Sequence, residues 1–289
     1  MKPPKFAYHR AASVEDALAM LATPDAKLIA GGQSLMPMLN FRLLRPSVLV
    51  DVGRIPGLDA IEELPGGGVR IGALVRHHKV EMSDVVKRRL PVLQHAVTHI
   101  GHLAIRNRGT IGGSLSHADP SAEHLLMTVL LDASFMIRSK SATRTTRAAG
   151  HIAGALSTNL AADEMLVSVE YPALAAGTGW AFEEIARRSG DFALAAVGVL
   201  MEKVGGKASN VRIAVAGGAN GPMRVPGAEK ALQGSTCDER ALDAAAEALR
   251  SSVEPNSDLQ ASPELRHRIL GTLLRRTCRE AWARAGKES

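Results

Sequence analysis

Two short glycine-rich sequences constrain the folding of this chain more than any other feature. The first, Ala30-Gly31-Gly32-Gln33-Ser34, directly follows the strand-like residues 27–30. Consecutive glycines lack Cβ atoms, so the backbone there can turn sharply and approach a ligand closely. Successive amide groups in such a turn form a concave nest that suits phosphate oxygens, and Ser34 adds a hydroxyl donor. Taken alone, however, this motif is more simply interpreted as a tight turn.

The second glycine-rich sequence, Thr110-Ile111-Gly112-Gly113-Ser114, changes that balance because it resembles the first. It lies within residues 105–114, which we interpret as a loop rich in glycine and backbone donors. Two such loops suit a pyrophosphate, which has two phosphate groups to satisfy. Neither has the G-x-G-x-x-G or the G-x-x-x-x-G-K-[ST] pattern. We therefore expect a dinucleotide that is bound in neither the Rossmann nor the P-loop manner.

A third candidate segment, Ser116-His117-Ala118-Asp119-Pro120-Ser121-Ala122-Glu123, follows shortly afterwards. The Asp119-Pro120 pair marks the start of a helix, and the Asp119 side chain is a natural cap for that helix. Glu123 lies one turn further on, where its carboxylate would accept hydrogen bonds from ribose hydroxyls. On spacing alone, a capping pattern and a ribose-binding site explain the segment equally well.

Length and composition describe an ordinary globular protein. The chain has 289 residues, enough for two domains, with 46% hydrophobic and 22% charged residues. Aromatic residues are only 3%, which disfavours the stacking of nucleic-acid bases. The formal net charge is +6, and a modest concentration of arginines at residues 266–279 is interpreted as a solvated helix face. We expect no nucleic acid among the partners.

Cysteine and histidine usage does not indicate a metal site. Only two cysteines occur, Cys237 and Cys278, whereas an iron–sulfur cluster normally needs four thiolate ligands. His95, His99 and His102 recur on one face of a predicted helix, but the pattern lacks the glutamate of H-E-x-x-H, so a structural role is favoured. The chain has no recognisable leader and no run of about 20 apolar residues, so no transmembrane segment and a cytoplasmic location are expected.

Hydrophobic periodicity and turn residues predict an α+β chain in two parts. Strands are expected at residues 6–8, 27–30, 48–52, 69–75, 135–138 and 165–171, and helices from residue 13 to the Thr23-Pro24 stop, over 79–100 with an interruption at Pro91, and from about 120 to 131. After the flexible residues 173–179, strands at 193–204 and 211–217 form a hairpin around Gly205-Gly206. Helices are then expected at 226–232, 239–249 and 263–285.

With these sequences in view, the chain resembles the medium, flavin-binding subunits of the xanthine dehydrogenase and aerobic carbon monoxide dehydrogenase family. The most specific stretches are residues 30–35, residues 105–123 and Arg187-Arg188-Ser189-Gly190-Asp191-Phe192. The resemblance implies the α+β FAD-binding fold of the vanillyl-alcohol oxidase and p-cresol methylhydroxylase type, with two subdomains, at residues 1–175. A smaller α+β C-terminal domain of the carbon monoxide dehydrogenase flavoprotein type would occupy residues 176–289.

The resemblance also implies a set of residues that bind FAD. The pyrophosphate and adjoining groups would be wrapped by Lys27, Leu28, Ile29, Ala30, Gly31, Gly32, Gln33, Ser34 and Leu35. The second cofactor loop would comprise Thr110, Gly112, Gly113 and Ser114, with Ser116 and His117 near it. Glu123 would hold the ribose end, and packing against the cofactor would come from Ile100, Met165 and Leu166.

Near the flavin the chain departs from the family pattern. Relatives often have a lysine in the segment that corresponds to Phe182-Glu183-Glu184-Ile185, where this chain has two acids. A cation there would favour anionic reduced flavin and help to bind an acceptor, and a carboxylate would do neither. No clear motif for covalent flavin attachment is present, so noncovalent FAD is expected.

The function implied by the resemblance is electron transfer. A large molybdopterin-binding subunit would hydroxylate a small molecule, a small [2Fe-2S] subunit would carry electrons, and FAD in this chain would pass them to an external acceptor. The molybdenum cofactor and the clusters would then lie in partner subunits, in a heterotrimer for which further dimerisation is left open. No residue of this chain is predicted to be catalytic and none to bind a metal. A self-sufficient FAD-dependent oxidase or dehydrogenase and a non-redox nucleotide-binding protein are the alternatives.

Overall fold

The computed structural model describes residues 2–217 and 219–287 of the chain. Its first lobe is a parallel three-stranded sheet ordered β1-β3-β2. The elements of this lobe are β1 (Ala7–Arg10), α1 (Val14–Leu21), β2 (Lys27–Ile29), α2 (Leu35–Asn40) and β3 (Val48–Asp51). Helix α1 begins after Ser13 as predicted, because the Ser13 hydroxyl accepts a hydrogen bond from the Asp16 N–H. The buried Ala17 and Leu18 of this helix contribute to the core of the lobe.

The second lobe contains an antiparallel five-stranded sheet ordered β4-β5-β10-β6-β7. Its strands are β4 (Ile61–Glu63), β5 (Val69–Gly72), β6 (Ser134–Arg138), β7 (Thr143–Arg147) and β10 (Met165–Tyr171), with a small hairpin of β8 (Ile152–Gly154) and β9 (Ser157–Thr158). Its helices are α3 (His77–Glu81), α4 (Asp84–Arg89), α5 (Pro91–Val97), α6 (Leu103–Arg106), α7 (Ile111–His117), α8 (Glu123–Leu130) and α9 (Ala148–His151). Helix α8 is almost entirely buried, which makes it the centre of this lobe.

The C-terminal part is an antiparallel sheet ordered β11-β12-β13-β14 with three helices on one face. Its elements are β11 (Gly179–Ala186), β12 (Ala193–Val204), β13 (Lys207–Ala216), β14 (Met223–Arg224), α10 (Pro226–Leu232), α11 (Glu239–Ser252) and α12 (Pro263–Arg284). The predicted hairpin between β12 and β13 is present, because Gly205 and Gly206 adopt the positive φ angles of 58° and 75° that its turn requires. Strand β11, which lies at one edge of this sheet, was not predicted.

Both faces of the C-terminal sheet are buried, so it acts as a layer shared by the two parts of the chain. On β12, Ala195 and Val197 face α10, α11 and α12, whereas Ala196 and Gly198 face α8 of the second lobe. Neighbouring residues of a strand point to opposite faces, which explains this division. A Cβ atom on Gly198 would lie 2.8 Å from Leu130 Cδ2, so glycine lets the sheet and helix α8 approach closely.

Two predictions for the middle of the chain are corrected. The helix expected over residues 79–100 is three short helices, because Ser83 caps α4 and Pro91 starts α5. Consequently His99 and His102 lie beyond the end of α5, and the three histidines do not share a helical face. The loop expected at residues 105–114 contains the end of α6 and the first turn of α7. Burial of the apolar side chains of α7 outweighs the low helix propensity of its two glycines.

Candidate functional site

A cleft of about 660 Å³ lies where the first and second lobes meet. Every residue that the sequence singled out for cofactor binding lines this one cleft: Lys27, Leu28, Ile29, Ala30, Gly31, Gly32, Gln33, Ser34, Leu35, Ile100, Thr110, Gly112, Gly113, Ser114, Ser116, His117, Glu123, Met165 and Leu166. These residues come from four separate stretches of the chain, at 27–35, 100, 110–123 and 165–166. The fold therefore brings together in one cleft motifs that the sequence presents separately.

The first glycine-rich loop connects β2 to α2 at the edge of the cleft. Gly32 has a φ of +71°, a left-handed conformation that favours glycine. In the part of the chain that the structure describes, the backbone N–H groups of Gly32, Gln33 and Ser34 donate to no protein acceptor. Backbone donors without partners are rare unless a ligand or water accepts from them. This loop is therefore suited to anionic oxygens of a ligand.

The second glycine-rich sequence is held against the first by backbone packing. A Cβ atom on Gly31 would lie 2.2 Å from the carbonyl oxygen of Arg108, so the two loops are in direct contact. Thr110 caps α7, since its hydroxyl accepts a hydrogen bond from the Gly113 N–H at 3.1 Å. Gly112 N donates to the Ala73 carbonyl at 2.9 Å. These contacts hold the two loops on one wall of the cleft.

Glu123 begins helix α8 and supplies a carboxyl group to the cleft. Burial, followed by the negative charges of Glu184 and Asp119, raises the pKa of Glu123 to about 8. Asp119 does not cap the helix, because its Oδ1 atom accepts from Ser121 N at 2.9 Å within the preceding turn, and Ala122 occupies the capping position. The capping interpretation of this segment is therefore wrong for α8, and Glu123 is free to face a ligand.

Several lining residues were not found from the sequence. One wall consists of the loop after β9, where Ala161 and Ala162 line the cleft. Glu164 shapes this loop, since its Oε2 accepts from Ala161 N at 2.8 Å and its carboxylate accepts two hydrogen bonds of 2.6 Å from Arg144. Small apolar residues carry no local indication of a ligand, so only the fold could have placed them.

The cleft mouth is formed partly by Gly190, Asp191 and Phe192 from the β11–β12 connection. Phe192 is 67% exposed, an unusual position for a large aromatic side chain in a protein with few of them. Phe192 is thus an aromatic residue that the fold brings to the cleft. In the sequence analysis, only the family resemblance had singled out residues 187–192, which include Phe192.

A pair of buried histidines lies behind the cleft. His77, which lines the cleft, has its Nδ1 atom 2.9 Å from Nε2 of the fully buried His124. Burial, with the nearby cations Arg106 and Arg76, lowers the pKa of His77 to about 4, and burial also lowers the pKa of His124. Both rings are thus neutral at pH 7, with one donating to the other. Within residues 2–217 and 219–287, no three acidic, histidine or cysteine side chains are arranged to hold a metal ion.

The donor set of the cleft fits FAD. Unpartnered amides in the first loop suit the pyrophosphate, Glu123 suits a ribose, and apolar residues such as Ile100 and Leu166 suit ring systems. The two cysteines are buried, and burial raises the pKa of Cys237 to about 11, so neither thiol is poised to ligate a cluster. Fold and cleft together define a protein that binds a dinucleotide outside the Rossmann class.

Comparison with known proteins identifies the family. Residues 4–174 match the FAD binding domain in molybdopterin dehydrogenase, and residues 180–281 match the CO dehydrogenase flavoprotein C-terminal domain. The chain is 43% identical over 285 residues to the nicotine 6-hydroxylase medium subunit of Paenarthrobacter nicotinovorans, covering 98% of this chain and all of that protein. It is 38% identical over 286 residues to the carbon monoxide dehydrogenase medium chain of Hydrogenophaga pseudoflava, covering 98% and 99% of the two chains.

Solved structures agree with the sequence matches. A carbon monoxide dehydrogenase from Hydrogenophaga pseudoflava superposes with a TM-score of 0.96 at 39% identity, covering 99% of this chain and 100% of that chain. Quinoline 2-oxidoreductase from Pseudomonas putida 86 superposes with a TM-score of 0.95 at 37% identity, with the same coverage. The chain belongs to the FAD-binding medium subunits of the molybdenum hydroxylases.

Family membership confirms the resemblance drawn from the sequence, the α+β fold class, the oxidoreductase assignment and FAD as cofactor. The individual FAD contacts and the domain boundary at residue 175 stay predictions. Among the described residues, no helix combines the length and the apolar character needed to cross a bilayer.

Proposed function

We propose that this chain binds FAD noncovalently in the cleft and serves as the electron-transfer subunit of a molybdenum hydroxylase. When bound, FAD supplies the redox chemistry, accepting electrons from a [2Fe-2S] subunit and passing them to an external acceptor. The observation that carries the proposal is the set of N–H groups at Gly32, Gln33 and Ser34 that have no protein acceptor among the described residues, on the wall of a cleft of about 660 Å³.

The residues of the chain have binding and positioning roles in this proposal. The first loop donates its amides to the pyrophosphate, and Thr110 holds the second loop in place beside it. Glu123 binds a ribose hydroxyl, while Ile100 and Leu166 exclude water from the ring systems. No side chain of this chain acts as an acid or base toward the organic substrate, because that chemistry would take place in another subunit.

The proposed partners are a large molybdopterin-binding subunit and a small [2Fe-2S] subunit, in a heterotrimer. Two relatives carry names that describe components of larger enzymes: the carbon monoxide dehydrogenase medium chain and the 6-hydroxypseudooxynicotine dehydrogenase complex subunit alpha. Further dimerisation of the heterotrimer and a cytoplasmic location also stay proposals.

The test is a visible absorption spectrum of the purified chain, with and without added FAD, followed by identification of released flavin. Flavin bands and free FAD after denaturation are expected for the wild type. A Gly32→Asp substitution should abolish them, because it places a carboxylate and a strained left-handed backbone in the pyrophosphate loop.

The matched control is Gly205→Asp in the β12–β13 turn. Gly205 has a φ of +58° and nothing within 4 Å of a built Cβ atom, so this variant meets comparable backbone strain away from the cleft and should retain FAD. A folded wild-type chain that never takes up FAD would contradict the proposal and favour a non-redox nucleotide-binding protein. Bleaching of the isolated chain by an organic substrate would instead favour a self-sufficient oxidase.

A further inference from the structure

His77 is a polar side chain that lines the cleft although it is only 5% exposed. Its backbone is fixed beside the second glycine-rich sequence, because the His77 N–H donates to the Gly109 carbonyl at 3.1 Å and Arg76 forms an isolated β-bridge with Thr110. Buried polar side chains are normally hydrogen-bonded. The surroundings of the two ring nitrogens therefore indicate what His77 does.

One of these nitrogens is paired with His124. Nδ1 of His77 lies 2.9 Å from Nε2 of the fully buried His124, and the two ring centroids are 4.8 Å apart. Burial lowers the pKa of both rings, so at pH 7 each is neutral and has one N–H donor and one acceptor nitrogen. One ring must donate this hydrogen bond and the other must accept it.

The burial of His124 decides which ring donates. Its Nδ1 atom is closed off from solvent and finds no hydrogen-bond partner among the described residues. An N–H group is rarely left unpaired inside a protein, because no acceptor replaces the water that it loses. The single proton of His124 is therefore on Nε2, which donates it to His77 Nδ1. Because His77 Nδ1 accepts, the proton of His77 is on its own Nε2 atom.

The Nε2 edge of His77 lies where the two glycine-rich sequences meet. A Cβ atom on Gly109 would lie 2.5 Å from His77 Nε2, so glycine at this position leaves room for the ring. Gly109 also packs against the first loop, since a Cβ atom on Gly31 would lie 2.8 Å from Gly109 Cα. His77 Nε2 makes no hydrogen bond with the described residues and, unlike His124 Nδ1, is not closed off. Its N–H is thus available to a ligand in the cleft.

We propose that His77 is a ligand-binding residue whose Nε2–H donates to an acceptor oxygen of the dinucleotide in the cleft, and that His124 is a positioning residue that fixes this tautomer. The proposal deepens the proposed function and rests on FAD as the ligand. Phosphates, riboses and ring carbonyls offer many acceptor oxygens, so a neutral donor of fixed direction suits such a molecule.

The direct test is nitrogen-15 NMR spectroscopy of the full-length apoprotein with labelled histidine at pH 7. The two neutral tautomers of a histidine differ in their nitrogen chemical shifts and in the couplings of each nitrogen to the ring hydrogens. We expect the Nε2–H tautomer for both His77 and His124. Added FAD should shift the His77 Nε2 resonance and leave that of His78 unchanged. An Nδ1–H tautomer at His77, or a His77 resonance that FAD does not move, would overturn the proposal.

Calorimetric titration of the full-length apoprotein with FAD gives the contribution of the donor. In His77→Asn the short amide can still accept from His124, but no donor reaches the cleft, so FAD should bind about 10- to 100-fold more weakly. In His77→Gln the longer amide can place an N–H near the Nε2 position, so most of the affinity should return. Wild-type affinity in His77→Asn would contradict the proposal. So would losses in both variants that follow only their melting temperatures.

His78→Asn is the matched control. His78 is the next residue of α3, its side chain is 40% exposed, and its Nδ1 atom lies 3.2 Å from Glu81 Oε2. It lies outside the residues that line the cleft, so this variant should keep the wild-type affinity.

Two substitutions of His124 test its positioning role. The amide of His124→Gln can replace the Nε2–H donor, whereas His124→Met has no donor. FAD should bind more weakly to His124→Met, and only His124→Gln should keep His77 in the Nε2–H tautomer. Equal affinities and equal tautomers in the two variants would remove the role of His124. If the wild type binds no FAD, the proposed function fails, while the NMR spectrum of the apoprotein still decides whether His77 presents an N–H to the cleft.

Discussion

Gly31→Ala is the most informative substitution at the contact between the two glycine-rich loops. The added Cβ atom would lie 2.2 Å from the Arg108 carbonyl oxygen and 2.8 Å from Gly109 Cα. Both are backbone atoms, so no side-chain rotation can relieve the clash. A carbon–oxygen contact normally needs about 3.3 Å, so one loop must move by roughly 1 Å.

Such a displacement should affect stability and binding together. Overpacking of this kind typically costs about 1–3 kcal/mol of unfolding free energy, which for a chain of this size lowers the melting temperature by several degrees. A shift of about 1 Å in positioning groups typically weakens their action on the order of 100-fold. We therefore expect FAD to bind about 10- to 100-fold more weakly, as measured by calorimetric titration alongside thermal unfolding of the apoprotein.

Gly271→Ala in helix α12 is the control for this substitution. Its Cβ atom would meet only Arg275 Nη1 at 3.6 Å, and alanine has the higher helix propensity. This variant should be as stable as the wild type or more stable by up to about 1 kcal/mol, with unchanged FAD affinity. The reasoning about loop contact is refuted if Gly31→Ala binds FAD like the wild type and melts like the control.

Two further predictions concern charge. Burial lowers the pKa of His77 from 6.5 to about 4, so the contribution of this neutral ring to stability is complete above about pH 6.5 and is lost as the pH falls toward 4. Burial lowers the pKa of His124 as well, so its contribution has the same sign. Urea unfolding at about pH 7 and pH 4.5 should show a loss of roughly 2 kcal/mol from His77 at the lower pH, and an unchanged midpoint would contradict this. Glu164→Gln removes the charge from a carboxylate that is 12% exposed and accepts two hydrogen bonds from Arg144, so unfolding free energy should fall by about 1 kcal/mol and FAD affinity a few-fold. Glu15→Gln, at a side chain that is 67% exposed, should leave the unfolding free energy unchanged within error, and equal effects of the two variants would refute the role of the loop.

The parts of the site that local chemistry determines were predictable. Consecutive glycines at Gly31 and Gly32 indicated a close backbone approach, and a strand before them gave the loop its direction. The hairpin at Gly205-Gly206 was predictable for a similar reason, because its turn depends on two adjacent residues. By contrast, residues 111–114 were expected to belong to a loop, and burial of apolar side chains places them in helix α7 instead.

Long-range contacts could not be derived from spacing. His77 and His124 are 47 positions apart, and no local pattern indicates that their rings share a hydrogen bond. The arginines at residues 266–279 were expected to form a solvated helix face, and for Arg266 this is wrong, because Arg266 is buried and pairs with Asp258. Arg275 and Arg279 are partly exposed, and they form ion pairs with the acids of α11 that lie opposite them. Their partners become neighbours only when the two helices pack.

The sequence by itself determined the family and the cofactor through its resemblance to known medium subunits. It also determined the strand and turn of the first glycine-rich loop, because turn chemistry and hydrophobic periodicity act within a few residues of each other. Only the tertiary structure decided that four separate stretches line one cleft, and that Glu183 and Glu184 face different neighbours. The physical reason is that burial, strand register and charge pairing depend on the residues that arrive from elsewhere in the chain. Glu183 and Glu184 are the same amino acid, but Glu183 pairs with Arg276 whereas Glu184 lies on the face of the sheet that packs against α8.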